Sequence, residues 1–404
     1  MRSTDSGKGP PDLIQVNAQP LHPGDAAVAM NQPATRSAIE APAAREWARW
    51  AIQSLQQEAT LLADTPMRTL ELPGKPAVRL LLKDESVHPT GSLKHRLARS
   101  LFLCALCNGQ LRQGQTAVDA SSGSTAISEA WFARRLGIPF IAVMPRTTAL
   151  AKQREVIDLG GRCELLEPGE DAADHARALA GGLGACYLDQ FGLAGSATDW
   201  RGNNNIAQSI IGQCRERGVA APDWIVCGAG TGGTSGTIGR FLRYLGLSTR
   251  LCIADPQGAA FARGWPSLDR HAVADRATCI EGIGRPRVEP CFAFELVDQV
   301  VEVPDEASIA GMRWLEQRTG NRYGGSSGTN AVAALKLACD LRRDGRRGNI
   351  VLLLCDRGDR YADTLYSAPW LASRGLDIGP WTRVLDDAAQ GRGPAELDVG
   401  TAVA

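Results

Sequence analysis

Trp224-Ile225-Val226-Cys227-Gly228-Ala229-Gly230-Thr231-Gly232-Gly233-Thr234-Ser235 is the stretch on which the fold turns. It reads as an apolar strand ending at Cys227, a glycine-rich loop, and a helix from Ser235 to Tyr244. Glycines let backbone N–H groups turn inward, and a helix N-terminus adds a field that favours an anion, so the loop suits a phosphate. Thr231 and Thr234 add two hydroxyl donors. Gly228, Gly230 and Gly233 also satisfy G-x-G-x-x-G, and Asp255 ends the next strand where a dinucleotide-binding fold keeps its ribose-binding acid. On this loop alone a dinucleotide site, another phosphate cradle and a plain glycine turn all remain open.

Outward from the loop, short apolar strands alternate with helices. Strand-like runs are Val78–Lys83, Thr116–Ala120, Pro139–Met144, Arg162–Leu166, Arg250–Ala254 and Ile350–Cys355. Helix-like segments are Thr125–Leu136, Ala149–Leu159, Asn205–Arg217, Glu306–Arg318 and Ala331–Arg343. This is the pattern of an α/β fold whose parallel sheets are flanked by helices on both faces. Residues 41–63 carry helical spacing. Residues 1–40, rich in Pro, Ala, Gly and Ser, are expected to be a disordered extension, and residues 373–404 an aperiodic tail.

Composition narrows the function. The 404 residues hold 44 Lys+Arg against 44 Asp+Glu, which disfavours nucleic acid or an anionic membrane as partner. No run of 18 or more apolar residues occurs, and no signal-peptide core, so a cytoplasmic enzyme is expected. The eleven cysteines are scattered singly, as free thiols are, and Cys104 and Cys107 read as one face of a core helix. The five histidines have no metal-ligand spacing, so no metal is expected. Lysine is scarce: Lys8, Lys75, Lys83, Lys94, Lys152 and Lys336 are all there are. Chemistry that needs a deprotonatable amine has few candidates.

Three further segments carry chemistry. In His88-Pro89-Thr90-Gly91-Ser92-Leu93-Lys94-His95-Arg96, Thr90 and Ser92 are natural helix caps. Lys94 then falls in a first helical turn, where the dipole disfavours its charged form. In Ala120-Ser121-Ser122-Gly123-Ser124-Thr125-Ala126, hydroxyls and free amides converge as a carboxylate would need, or as an ordinary cap. Tyr323-Gly324-Gly325-Ser326-Ser327-Gly328-Thr329-Asn330 precedes another helix and offers neutral hydroxyls.

The order of these segments resembles the fold type II pyridoxal-phosphate enzymes, the cysteine synthase and cystathionine β-synthase family, over residues 62–372. The resemblance implies a two-domain, tryptophan synthase β-like fold, with a smaller domain at 84–193 and a larger one from 41–83 plus 194–372. It makes Lys94 the lysine that links to the cofactor aldehyde and Gly230, Thr231, Gly232, Gly233 and Thr234 the phosphate loop. Ser121, Ser122, Gly123, Thr125 and Gln190 become the substrate-carboxylate side, and Ser326 the partner of the pyridine nitrogen. Ser124 stands where the family usually has asparagine beside the phenolic oxygen, and Cys355-Asp356-Arg357-Gly358-Asp359-Arg360 replaces a serine-serine-glycine end to the last core strand, adding charge near the cofactor's ring end. Residues 88–96, the Ser124 loop and Asp199-Trp200-Arg201-Gly202-Asn203-Asn204-Asn205-Ile206 look most like the bacterial L-cysteine desulfhydrase branch. That branch implies β-elimination of L-cysteine to sulfide, pyruvate and ammonia, with β-replacement by a cysteine synthase as the alternative, in a homodimer.

Overall fold

The computed structural model describes residues 42–62, 64–392 and 401–402, so the extension expected at 1–40 lies outside the described residues. Strands are β1 (Met67–Leu72), β2 (Val78–Asp84), β3 (Ala117–Ala120), β4 (Phe140–Pro145), β5 (Arg162–Leu166), β6 (Cys186–Tyr187), β7 (Trp224–Cys227), β8 (Arg250–Pro256), β9 (Gln299–Val303), β10 (Gly348–Leu354) and β11 (Thr401–Ala402). The helices used below are α1 (Pro42–Leu61), α2 (Lys94–Cys107), α3 (Ser124–Leu136), α4 (Leu150–Asp158), α5 (Ala172–Leu183), α6 (Gln190–Ala197), α7 (Ile206–Glu216), α8 (Gly233–Tyr244), α9 (Ala260–Gly264), α10 (Asp305–Thr319), α11 (Gly325–Arg343), α12 (Ala368–Ser373) and α13 (Gly379–Gln390).

The strands form two sheets. One has the order β1-β2-β10-β7-β8-β9-β11, parallel from β2 to β9 and closed by an antiparallel strand at each edge. The other, β5-β4-β3-β6, is parallel throughout. Residues alternate sides along a strand, and both faces of each sheet are dry. In the larger sheet Leu80, Leu82, Val226 and Leu352 pack under α10, α11 and α13, while Leu81, Ile225, Ile253 and Leu353 pack under α7, α8 and α9. In the smaller sheet Ala117, Phe140 and Ala142 face α1, α2 and α3, and Val118, Ile141 and Val143 face α5. Among the described residues no helix is long and apolar enough to cross a membrane.

Four details depart from the sequence reading. Helix α1 buries Ala51 and Leu55 against the smaller sheet, although residues 41–83 were grouped with the larger unit. The stretch after 372 contains α13, whose Leu385, Ala388 and Ala389 join the core under α10 and α11. Helix α11 starts at Gly325, so Ser326 lies in its first turn and not in a loop before it. Cys104 and Cys107 are not core: α2 buries the Ala98, Leu101, Phe102, Ala105 and Leu106 stripe, leaving Cys104 half-buried and Cys107 exposed. These two thiols line a cavity of about 960 Å³ that opens behind α8.

Candidate active site

A second cavity, of about 570 Å³, lies where the C-terminal ends of β3, β7 and β10 meet the starts of α2, α3, α6, α8 and α11. Ligands bind at such strand ends in parallel α/β sheets because helix N-termini gather there. Its lining contains Lys94, Ser121, Ser122, Gly123, Ser124, Thr125, Gln190, Gly230, Thr231, Gly232, Thr234 and Ser326, drawn from segments more than two hundred residues apart. Gly233 alone of the expected residues faces away: a Cβ there would meet Ala194 Cβ at 2.9 Å, so it packs α8 onto α6.

Lys94 opens α2 as expected, but the N-cap is Leu93, which has no side-chain cap bond; Ser92, one residue earlier, accepts the Lys94 N–H through Oγ at 3.2 Å. Its Nζ has no hydrogen bond among the described residues. Burial holds the amine below its ordinary value, aided by the Arg285 guanidinium and opposed by Cys355 and Asp356. Desolvation is therefore the main cause, ahead of the helix field invoked from sequence. The rest of that motif is architectural. Arg96 grips buried Glu85 through Nε at 2.7 Å and donates to Asn204 O, and His95 Nε2 meets Glu58 at 2.7 Å.

The glycine loop is shaped by close approach. Gly232 has φ +85°, and a Cβ on it would lie 2.6 Å from Phe292 Cα. A Cβ on Gly230 would meet Gly282 O at 2.3 Å and Lys94 Nζ at 3.9 Å, so the loop backbone runs beside the amine. Thr231 Oγ1 accepts from Gly233 N at 3.3 Å, fixing the turn into α8. The dinucleotide alternative fails at Asp255. That residue is fully buried and its Oδ2 accepts from Ala262 N at 3.0 Å, so it reaches no ligand.

On the opposite wall, Gly123 stands at the N-cap of α3, and Ser121 Oγ accepts from Ala126 N in the first turn at 3.0 Å. Gln190 Nε2 spends one hydrogen on Ala120 O at 2.7 Å and keeps another. Ser124 Oγ receives Arg360 Nη1 at 3.3 Å, and Arg360 is held by Glu155 and by Thr90 O. At the far end, Ser326 sits beside Cys355, whose thiol burial pushes up to about 12. Asp356 next to it is also pushed up by burial and accepts from Tyr361 Oη at 2.6 Å.

Sequence reasoning missed several lining groups. Lys152, from α4, is buried, is pulled down to about 8 by desolvation, and pairs with Glu281 across the cavity. Its charged surroundings are Asp356, Glu155 and Arg360. The only advance signal for it was the scarcity of lysine. The Asp199–Ile206 segment, by contrast, is not in this cavity: it lines the larger one and contains Asn205, the cap of α7.

Known proteins are similar to this chain in sequence and fold. L-cysteine desulfhydrase Cds1 of Mycobacterium tuberculosis is 50% identical over 83% of this chain and 93% of its own length. A putative cysteine synthase of Sinorhizobium fredii is 28% identical over 78% of this chain and 92% of its own. The crystal structure of a hydrogen sulfide-producing enzyme from Fusobacterium nucleatum shares the fold with TM-score 0.71 at 23% identity, covering 86% of this chain and 99% of that one. Residues 59–356, which hold every expected site residue, match a single family, and by that match the chain belongs to the pyridoxal-phosphate-dependent enzymes.

Proposed function

We propose that this enzyme eliminates the sulfur of L-cysteine, releasing sulfide, pyruvate and ammonia. The observation that carries the reading is 50% identity to L-cysteine desulfhydrase of M. tuberculosis across 93% of that protein. The cavity supports it, because its residues fit the family cofactor. Gly230 and Gly232 leave no room for side chains and so bring backbone amides to the surface, with Thr231 and Thr234 beside them as phosphate donors. Lys94 Nζ, without a hydrogen-bond partner, adjoins that loop and is the amine for the aldehyde. Ser326 offers a neutral hydroxyl for the pyridine nitrogen, and the Ser124–Arg360 pair a donor for the phenolic oxygen.

When bound, pyridoxal phosphate holds the substrate amine and withdraws electrons from its Cα. Ser122, Thr125, Gln190 and the amides around Ser121 and Gly123 hold the substrate carboxylate. Lys94, kept low in pKa by burial, takes the Cα proton as general base. A hydroxyl such as Ser326, unlike a carboxylate, cannot keep a positive charge on the ring nitrogen. The electron pair at Cα is then held loosely, which favours prompt departure of the sulfur from Cβ. The second reading, β-replacement of an activated serine by sulfide, draws support from the likeness to the putative cysteine synthase.

The same reading carries three further proposals. The cavity divides a smaller domain around the four-stranded sheet from a larger one around the seven-stranded sheet. The eleven unpaired thiols suit a reducing cytoplasm. Resemblance to the family makes the enzyme a homodimer. The deciding experiment gives cofactor-loaded enzyme L-cysteine alone, then O-acetylserine with sulfide. Sulfide and pyruvate in equal amounts from cysteine, with little cysteine synthesis, is the expected outcome; fast cysteine formation without pyruvate overturns it.

A further inference from the structure

Behind the Ser121–Thr125 loop lies a pair of acids that the chemistry above does not use. Asp119 on β3 and Glu129 on α3 are both fully buried, and their carboxyls lie against one another. Asp119 Oδ1 accepts from Gln190 N at 3.4 Å. Among the described residues, Asp119 Oδ2 and both oxygens of Glu129 face no N–H or O–H donor. The charges that act on the pair are that of Asp119 on Glu129 and that of Asp189 on Asp119, both negative. Two ionised carboxylates in contact and out of water repel strongly, and buried acceptors without donors are costly. A single proton shared between the two carboxyls relieves both problems.

The pair straddles the loop. Asp119 stands two residues before Ser121, and Glu129 one helical turn after Thr125. Asp119 also takes the backbone of Gln190, whose side chain returns to Ala120 O. Strand end, helix start and Gln190 therefore meet at one O–H···O contact. We propose that Asp119 and Glu129 are positioning residues which share one proton and so hold the Ser121–Thr125 loop and Gln190 ready for the substrate carboxylate. This rests on the reading of that loop as the carboxylate side. Loss of the proton puts a second negative charge beneath an anion-binding loop, so substrate affinity falls as pH rises.

Burial raises both acids above the usual carboxylate range, Asp119 to about 7 and Glu129 well above its ordinary value. The first proton to leave takes the pair to the shared state near neutrality, and the shared proton follows on the alkaline side. The neighbours do not compete there. From β6, Cys186 is pushed up to about 11 and Tyr187 higher still. From α2, burial raises the Cys104 thiol and holds His95 below its usual value, hence neutral. The remaining charged neighbour is Asp189, the cap of α6.

The test compares cofactor-loaded wild type, Glu129→Gln, Glu129→Ala and Asp119→Asn from pH 6.5 to 9.5. It reads L-serine binding through the cofactor absorbance, together with KM and kcat for the turned-over amino acid. L-serine binding is followed whichever substrate proves physiological, and Ser122→Ala in parallel reports whether the loop takes a carboxylate at all. Wild type should lose about tenfold or more in affinity across the range, while Glu129→Gln, which donates an N–H that cannot be titrated, stays nearly flat. Asp119→Asn supplies the same donor from the other side and should behave alike. Glu129→Ala should raise KM about tenfold at every pH and change kcat little. An alkaline loss equal in wild type and Glu129→Gln overturns the proposal, as does Glu129→Ala binding L-serine like wild type. A weakened Ser122→Ala variant with unchanged pair variants overturns the pair alone; an unaffected Ser122→Ala variant overturns the reading of the loop.

Discussion

The loop after β7 and the loop after β3 are both strand-to-helix turns opening on the same cavity, yet they are built on opposite plans. In the first, Gly230 and Gly232 are pressed against the backbone of Gly282 and Phe292 and have no space for a methyl group. In the second, a Cβ on Gly123 would meet nothing within 4 Å. The phosphate side is clamped by its neighbours. The substrate side has open space at Gly123 and is tied by hydrogen bonds at Ser121 and Ser124. A cofactor that stays bound needs a fixed cradle; an amino acid that enters and leaves needs a wall that can adjust.

Four measurements break or sharpen that contrast. The largest effect belongs to the amine between the two walls. Lys94→Ala should lower turnover by about 10³-fold or more, the scale of a lost general base, and abolish the visible band of lysine-bound cofactor. An unchanged spectrum would show that another amine holds it. Gly232→Ala, with φ +85° and Phe292 in the way, should lose cofactor and about 2–4 kcal/mol in denaturant unfolding.

The third concerns Asp255, buried at the end of β8 without a carboxyl partner and pushed up to about 7 by desolvation. The folded chain keeps this proton after the unfolded chain has lost it, so between about pH 4 and 7 the native state binds more protons. Stability contributed by this group therefore declines as pH rises through that window, and Asp255→Asn should flatten the decline. Thermal unfolding at pH 5 and pH 7.5 reads the difference, a few degrees in Tm. The smallest effect is expected at Gly123→Ala: stability within about 0.5 kcal/mol of wild type, with any change confined to KM. A loss there as large as at Gly232 would erase the contrast between the loops.

Motifs that lie in one run of sequence were legible; those assembled by packing were not. Residues 228–234 and 88–96 carry their chemistry within nine positions or fewer, because a strand, a turn and a helix start are local events. The cavity they share is where the structure puts them. Lys152 and Glu281 reach it from two separate segments, and each sits in a stretch that reads as solvated surface. Asp255 misled because a strand-end acid looks alike in sequence whether it reaches a ligand or caps buried backbone. Edge strand β1 and helix α13 went unread since Arg68, Glu71, Asp386 and Asp387 blur their patterns, and only tertiary contact selects them.

The scarcity of lysine has a practical outcome. Lys83, Lys152 and Lys336 are buried and Lys94 is half-buried, so Lys75 is the exposed lysine among the described residues. Basic surface is otherwise guanidinium, which ordinary amine reagents leave untouched. A fluorophore ester at low ratio should therefore label the folded body at one known point, in the β1–β2 turn and outside every cavity-lining segment.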